Sequence, residues 1–204
     1  MIDRPVSARR PRIVALGGNA TAGGSAERLL RHALARCSAA GAETMLFAGD
    51  AIDLPLYAPH HNDRCAKAEA LIAALREADG IIVASPAYHG TVSGVVKNAL
   101  DYAQDLAADA QPYFDGRAVG LVAVAGGWQA AGSTLATLRS ITHALRGWPT
   151  PMAVTANSSQ PLFDPDGLLT DQGIAMQIDI MTQQVLMFAR MKAGYAPARD
   201  AEMA

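Results

Sequence analysis

The sequence predicts an α/β protein, a single domain built on an open, doubly wound, five-stranded parallel sheet with helices on both faces. Three observations predict it. Five short apolar runs recur along the 204 residues, each followed by apolar residues at helical spacing. The runs are continuous rather than alternating, as strands buried on both faces are. Finally, 50% of the residues are hydrophobic and 18% are charged, which suits one sizeable core.

The elements follow in order. Arg12 to Leu16 is the first strand, closed by Gly17-Gly18, and Leu29, Leu30 and Leu34 mark a helix from Ser25 to Ala40. Thr44 to Phe47 is the second strand; an irregular segment leads to a helix from Asp63 to Ala78 with Ala66, Ala70, Leu71, Ala74 and Leu75 on one stripe. Gly80 to Ala84 is the third strand and Ser93 to Leu106 its helix. Ala118 to Ala125 is the fourth, ending in Gly126-Gly127, with a helix from Ala130 to Leu145 stopped by Gly147 and Pro149. Pro151 to Ala156 is the fifth, and after a polar connector a last helix runs from Thr170 to about Lys192. Residues 1–11 read as a flexible basic arm, 12–194 as the domain and 195–204 as a tail.

Composition excludes several classes. A formal net charge of -2 gives no basic field for a nucleic acid. No apolar run approaches the ~18–20 residues that span a bilayer, and the head lacks the apolar core of a signal peptide, so no membrane is expected. Cys37 and Cys65 form no metal or redox pattern and read as free thiols in the cytoplasm. The segment Pro59 to Cys65 holds two adjacent histidines, but adjacent residues seldom face one ion, so no metal is expected. No Gly-x-Ser-x-Gly elbow points to a hydrolase.

Open parallel sheets bind ligands beyond the carboxyl ends of their strands, so function belongs in the loops after strands one, three and four. The first, GGNATAGGSAER from Gly17 to Arg28, is neither a dinucleotide fingerprint nor a lysine-bearing nucleotide loop. It reads as a phosphate cradle of amides and small hydroxyls, with Gly18, Asn19, Thr21 and Ser25 as contacts, or as a tight turn in which Ser25 is a plain cap. In the third, Pro86 fixes the backbone, Gly90 frees it and Ser93 caps the next helix. Tyr88 and His89 then either edge a flat ring or sit half-buried in the loop.

The stretch SPAYHGTVSGVVKNALDYA, Ser85 to Ala103, resembles the hallmark segment of the NAD(P)H-dependent FMN reductase family, Ser-Pro-x-Tyr-x-Gly-x-x-Ser-Gly-x-x-Lys-Asn-x-Leu-Asp. Ser85, Pro86, Tyr88, Gly90, Ser93, Gly94, Lys97, Asn98, Leu100 and Asp101 meet every fixed position. The resemblance runs from Arg12 to Ala156 and implies a flavodoxin-like fold binding FMN. It implies that Pro86, Ala87, Tyr88, His89 and Gly90 contact the flavin ring, and that Gly126, Gly127, Trp128 and Gln129 reach its pyrimidine side. The family's phosphate loop usually reads Gly-Ser-x-Arg-x-x-Ser; this chain has Asn19, Thr21 and Gly24 at the three polar places.

The resemblance also implies an activity, ping-pong hydride transfer from NADPH or NADH to flavin and on to a second small-molecule acceptor: free FMN, a quinone, an azo compound or a metal oxyanion. Tyr88 and His89 are its candidate catalytic residues, His89 as a proton donor. Reduced flavin destined for a partner monooxygenase, and a homodimer or homotetramer paired through the Ser93 to Leu106 helix, belong to the same expectation. Trp148 and the apolar side of the last helix, with Ile174, Ile178, Met181, Val185 and Phe188, alternatively cover the sheet. A flavin-free or non-catalytic binding or electron-transfer module on the same scaffold is the other function class.

Overall fold

The computed structural model describes residues 9–61 and 63–194. Residues 1–8 of the expected arm and the 195–204 tail lie outside the described residues. Of the rest of the arm, Arg9 is paired with the Asp79 carboxylate through two bonds of 2.7 Å, and Arg10 donates to the Gly41 carbonyl at 2.9 Å.

Five strand positions lie side by side, as the apolar runs predict. β1 (Arg12–Gly17) sits between β2 (Glu43–Phe47) and β3 (Gly80–Tyr88), and β3 pairs in turn with β5 (Ala118–Ala125), all parallel. The fifth position is split: β6 (Trp148–Pro149) pairs with Ala118 and Val119, and β7 (Val154–Asn157) with Val122 to Ala125. The expected Pro151 to Ala156 strand is thus corrected. Pro151 has no amide for the ladder, and Thr150 turns its hydroxyl back to the Met152 carbonyl at 2.7 Å.

A second correction concerns the third strand, which continues four residues past Ala84 and pairs as far as Pro86 with Val124. It then folds back through His89 and Gly90 into a short antiparallel strand, β4 (Thr91–Val92). The order of the parallel positions, second, first, third, fourth, fifth, is the flavodoxin-like one.

Alternate residues of the buried strands feed two cores. Val14, Leu16, Ile81 and Val83 pack with α2 (Ala66–Glu77), α3 (Gly94–Asp101) and Leu138 of α4 (Trp128–Ala144). Ile13, Ala15, Ile82, Ala84, Val122 and Val124 pack with α1 (Ser25–Ala39) and α5 (Gln172–Gly194). Ile174, Ile178, Met181 and Val185 of α5 are buried there, so the last helix does cover the sheet. It comes close because Gly80 and Gly120 carry no side chain: a Cβ on Gly80 would stand 2.6 Å from Val185 and one on Gly120 3.0 Å from Met181. Cys37 lies in this second core, its thiol pushed up to about 12 by burial, whereas Cys65 is exposed.

Two positions decide how the ligand end is held. Gly17 has φ +143, and a Cβ there would fall 1.9 Å from the Ala84 carbonyl oxygen. That contact lets Gly18 donate to the same carbonyl at 3.1 Å. Asn98 of the family-like segment has a structural task. It accepts from the Tyr57 amide at 2.8 Å and donates to the Leu54 and Pro55 carbonyls at 3.2 and 2.9 Å, fastening the segment between β2 and α2 onto α3.

Gly17→Ala is expected to cost about 3 kcal/mol or more, because backbone of β3 has to move, and Asn98→Ala about 2 kcal/mol, because three backbone partners lose their bond, two of them part-buried. Chemical denaturation measures both, and limited proteolysis of Asn98→Ala should cut first between Asp53 and Arg64.

Candidate functional site

The carboxyl ends of β1, β3, β5 and β7 meet around a cleft of about 230 Å³. Each wall follows from local sequence. The first is the β1–α1 loop, where Gly18 and Gly23 have φ +97 and +85. α1 starts at Ser25 with Gly24 as its cap residue, and Gly24 offers no side-chain bond. Among the described residues, no group accepts from the amides of Ser25 and Ala26. Two aligned donors at the positive end of a 15-residue helix are therefore left open on the cleft.

The second wall is the end of β3. The Ser85 hydroxyl accepts from the Ser93 amide at 2.9 Å and donates to the Pro86 carbonyl at 2.8 Å. The Ser93 hydroxyl caps α3 by accepting from Val96 at 3.2 Å and reaches the Gly18 carbonyl at 3.5 Å. Both serines are buried, so they wire the backbone and are not open to a ligand. Pro86, Ala87 and Tyr88 line the cleft, and the Tyr88 hydroxyl donates to Asn19 Oδ1 at 3.2 Å, joining the first two walls.

Beyond Tyr88 the chain reverses at His89 and Gly90, with φ +50 and +87. Two successive left-handed residues make the tight turn of a two-residue hairpin, a costly place for a histidine. α4 steadies it: Ser133 donates to the Gly90 carbonyl at 2.9 Å.

The third wall is Ala125 at the end of β5 and Gly126 after it, with Gly127 as an equally bare cap of α4. The fourth is Ser158, which follows β7 and donates its amide to Ala125 at 2.7 Å. A larger cleft of about 490 Å³ opens next to these last two walls, between Trp128 and the segment from Asn157 to Asp171.

Of the residues singled out from sequence, Gly18, Asn19, Ser25, Pro86, Ala87, Tyr88 and Gly126 come together around the smaller cleft. Trp128, 63% exposed, belongs to the larger one. Thr21, His89, Gly90, Gly127 and Gln129 line neither. Ala26 and Ser158 line the smaller cleft without having been read from the sequence, and so does Gly24, which stands at one of the family's phosphate-loop places. A signal existed for Ser158 in its place as a polar residue just after the last apolar strand, but the glycines that mark ligand loops lie after strands one, three and four. Ser25 is the first helical residue rather than the cap.

Among the described residues no lysine, arginine or histidine lines the smaller cleft. Arg28 on the first turn of α1 is turned away, its guanidinium 3.9 Å from the centre of the Phe163 ring. An anionic group in this cleft is met by helix amides and hydroxyls, and a flat group by Pro86, Ala87 and Tyr88.

A family model for NADPH-dependent FMN reductases matches residues 11–160. An FMN-dependent NADPH-azoreductase of Staphylococcus aureus (strain USA300) is 31% identical over 113 residues, 54% of this chain and 56% of the relative, so the match spans about half of that protein. Among solved structures, an apo NADH:FMN oxidoreductase has TM-score 0.66 at 22% identity, covering 87% of this chain and 89% of its own. The flavoenzyme NAD(P)H:(acceptor) oxidoreductase FerB from Paracoccus denitrificans has TM-score 0.67 at 19% identity, covering 89% and 98%. These likenesses establish the flavodoxin-like fold, and with the family match covering most of the sequence, the chain belongs to the NADPH-dependent FMN reductase family.

Proposed function

We propose that the chain is an NAD(P)H-dependent flavin reductase that takes FMN and passes the reducing equivalents of NADPH or NADH to a second small-molecule acceptor. One observation carries the reading: the bare amino end of α1 and the rigid end of β3 meet in one cleft, joined by the Tyr88–Asn19 bond. The residues present fit a phosphorylated flat ligand, with two amides that have no acceptor among the described residues beside Ser25 and Asn19. When bound, FMN supplies the redox chemistry, taking a hydride from the nicotinamide and handing it on.

The chain's own part is binding, orientation and electrostatics. The amides of Ser25 and Ala26, with the Ser25 hydroxyl, hold the phosphate. Pro86, Ala87 and Tyr88 orient the ring, and the open end of α4 after Gly126 and Gly127 favours negative charge at the ring's pyrimidine edge. Thr21, Gly90 and Gln129 line neither cleft, and their part is to shape the loops that carry these contacts. The larger cleft beside Trp128 receives the second substrate, which shares the ring's open face; quinones, azo compounds and free FMN are its candidate classes. His89 stands at the hairpin tip and lines neither cleft, so the role assigned to it is delivery of a proton through water, and that of Tyr88 is to shield the ring.

A homo-oligomer paired through α3 belongs to the proposal, supported by Leu56, which is 86% exposed beside Gly94 and Val95 of that helix. So do a cytoplasmic setting and release of reduced flavin to a partner monooxygenase. The absence of a cation from the smaller cleft favours a second reading, a flavin-free binding module on this scaffold.

An absorbance titration of the purified chain with FMN separates the two readings: a shifted, structured flavin band is expected, and an unchanged spectrum would favour the binding module. Steady-state assays with NADPH and NADH should then show turnover of at least one of FMN, a quinone or an azo dye. Replacing His89 with Gly should raise stability by about 1 kcal/mol through relief of the left-handed backbone, measured by denaturant unfolding, while lowering turnover at unchanged FMN affinity.

A further inference from the structure

The phosphate cradle already holds an anion of its own. Glu27, in the first turn of α1, is only 4% exposed, and its carboxylate accepts from the Gly23 amide at 2.8 Å. Gly23 is the residue before the cap, so one amide of the loop is withdrawn from any ligand. The Cβ of Glu27 also lies 3.5 Å from where a side chain on Gly18 would begin, directly behind the cleft wall. Burial works to raise the Glu27 carboxyl, but the Gly23 amide and Arg31 outweigh it and hold it below its ordinary value, so the group is charged at neutral pH.

Compensation comes from one side only. Arg31 donates to Glu27 Oε1 at 2.9 and 2.6 Å, but its side chain is 64% exposed, so water screens its reach into the cleft. Arg28, the other cation of this turn, is committed to Phe163. A negative group at the first turn already answers the positive end of α1. A second anion brought to the same turn meets a buried carboxylate beside the open amides of Ser25 and Ala26.

Resting on the flavin reading above, we infer that Glu27 makes the site tolerant of flavins that lack the phosphate, by cancelling most of the affinity that the phosphate would otherwise add. Ring contacts carry the binding, and the flavin exchanges as a substrate does. Glu27 is then a specificity residue for the flavin's tail and takes no part in the redox step.

The test compares FMN with riboflavin by fluorescence quenching on the full chain at low salt. The two dissociation constants should agree within about tenfold in the native chain. Glu27→Gln keeps an acceptor for the Gly23 amide and removes the charge, so it should tighten FMN by about tenfold while leaving riboflavin within about twofold. Arg31→Ala strips the screening partner from an exposed position and should weaken FMN severalfold, again sparing riboflavin; it decides the matter if Glu27→Gln fails to fold. FMN binding more than about a hundredfold tighter than riboflavin, or equal changes for both flavins in the variants, would overturn the inference while leaving the flavin reading intact. Binding of neither flavin would overturn the flavin reading and the inference with it.

Discussion

The site depends on how closely β1 approaches β3 at their carboxyl ends. Parallel strands normally keep side chains out of each other's backbone, yet at Gly17 the Cα faces the Ala84 carbonyl so closely that no Cβ fits. The approach delivers the β1–α1 loop against the far end of β3, where Gly18 bonds to Ala84 and Asn19 meets Tyr88. Without it the two walls of the cleft would belong to separate loops. With it, a glycine-rich turn is held against the central strand of the sheet, and pre-organisation of this kind lowers the entropy cost of binding.

Helix termini divide the labour. α3 and α5 each have a first-turn amide, of Val96 and Ile174, met by the side chain of Ser93 and Asp171. α1 and α4, which face the clefts, are capped by Gly24 and Gly127 and have no such bond. α2, behind Cys65, is also bare, so a missing cap alone does not mark a site. What marks α1 and α4 is that their bare ends sit where β1 and β5 end beside Pro86 and Tyr88. The same turn of α1 carries Glu27, so the cradle's attraction for anions is moderated from within the helix that creates it.

Much of this was legible beforehand, for physical reasons that apply to particular residues. Continuous runs such as Ile81 to Ala84 are legible because a strand buried on both faces needs no polar side. The family-like segment was legible because its serines and asparagine have fixed backbone partners: Ser85 holds Ser93, Ser93 holds Val96, and Asn98 holds Leu54, Pro55 and Tyr57. The two-residue strands β4 and β6 were not, since two residues have no period to read. Glu27 was missed for a related reason: it stands where the acidic member of a capping box would, but the cap residue is glycine, so the usual Ser or Thr is lacking.

The sequence by itself determined the alternation of strand and helix, the two-sided burial of the sheet and the segment that ties the chain to its family, because hydrophobic period and local turn chemistry are properties of neighbouring residues. Tertiary structure alone decided which side chains share a cleft. Ser158 joins Ser25 across more than a hundred residues through the β5–β7 pairing. His89 leaves the cleft wall because two left-handed residues reverse the strand, and Arg28 stacks on Phe163 instead of meeting a phosphate. Those outcomes depend on contacts between segments distant in the chain, and no local pattern encodes the direction in which a side chain meets a neighbour that only folding supplies.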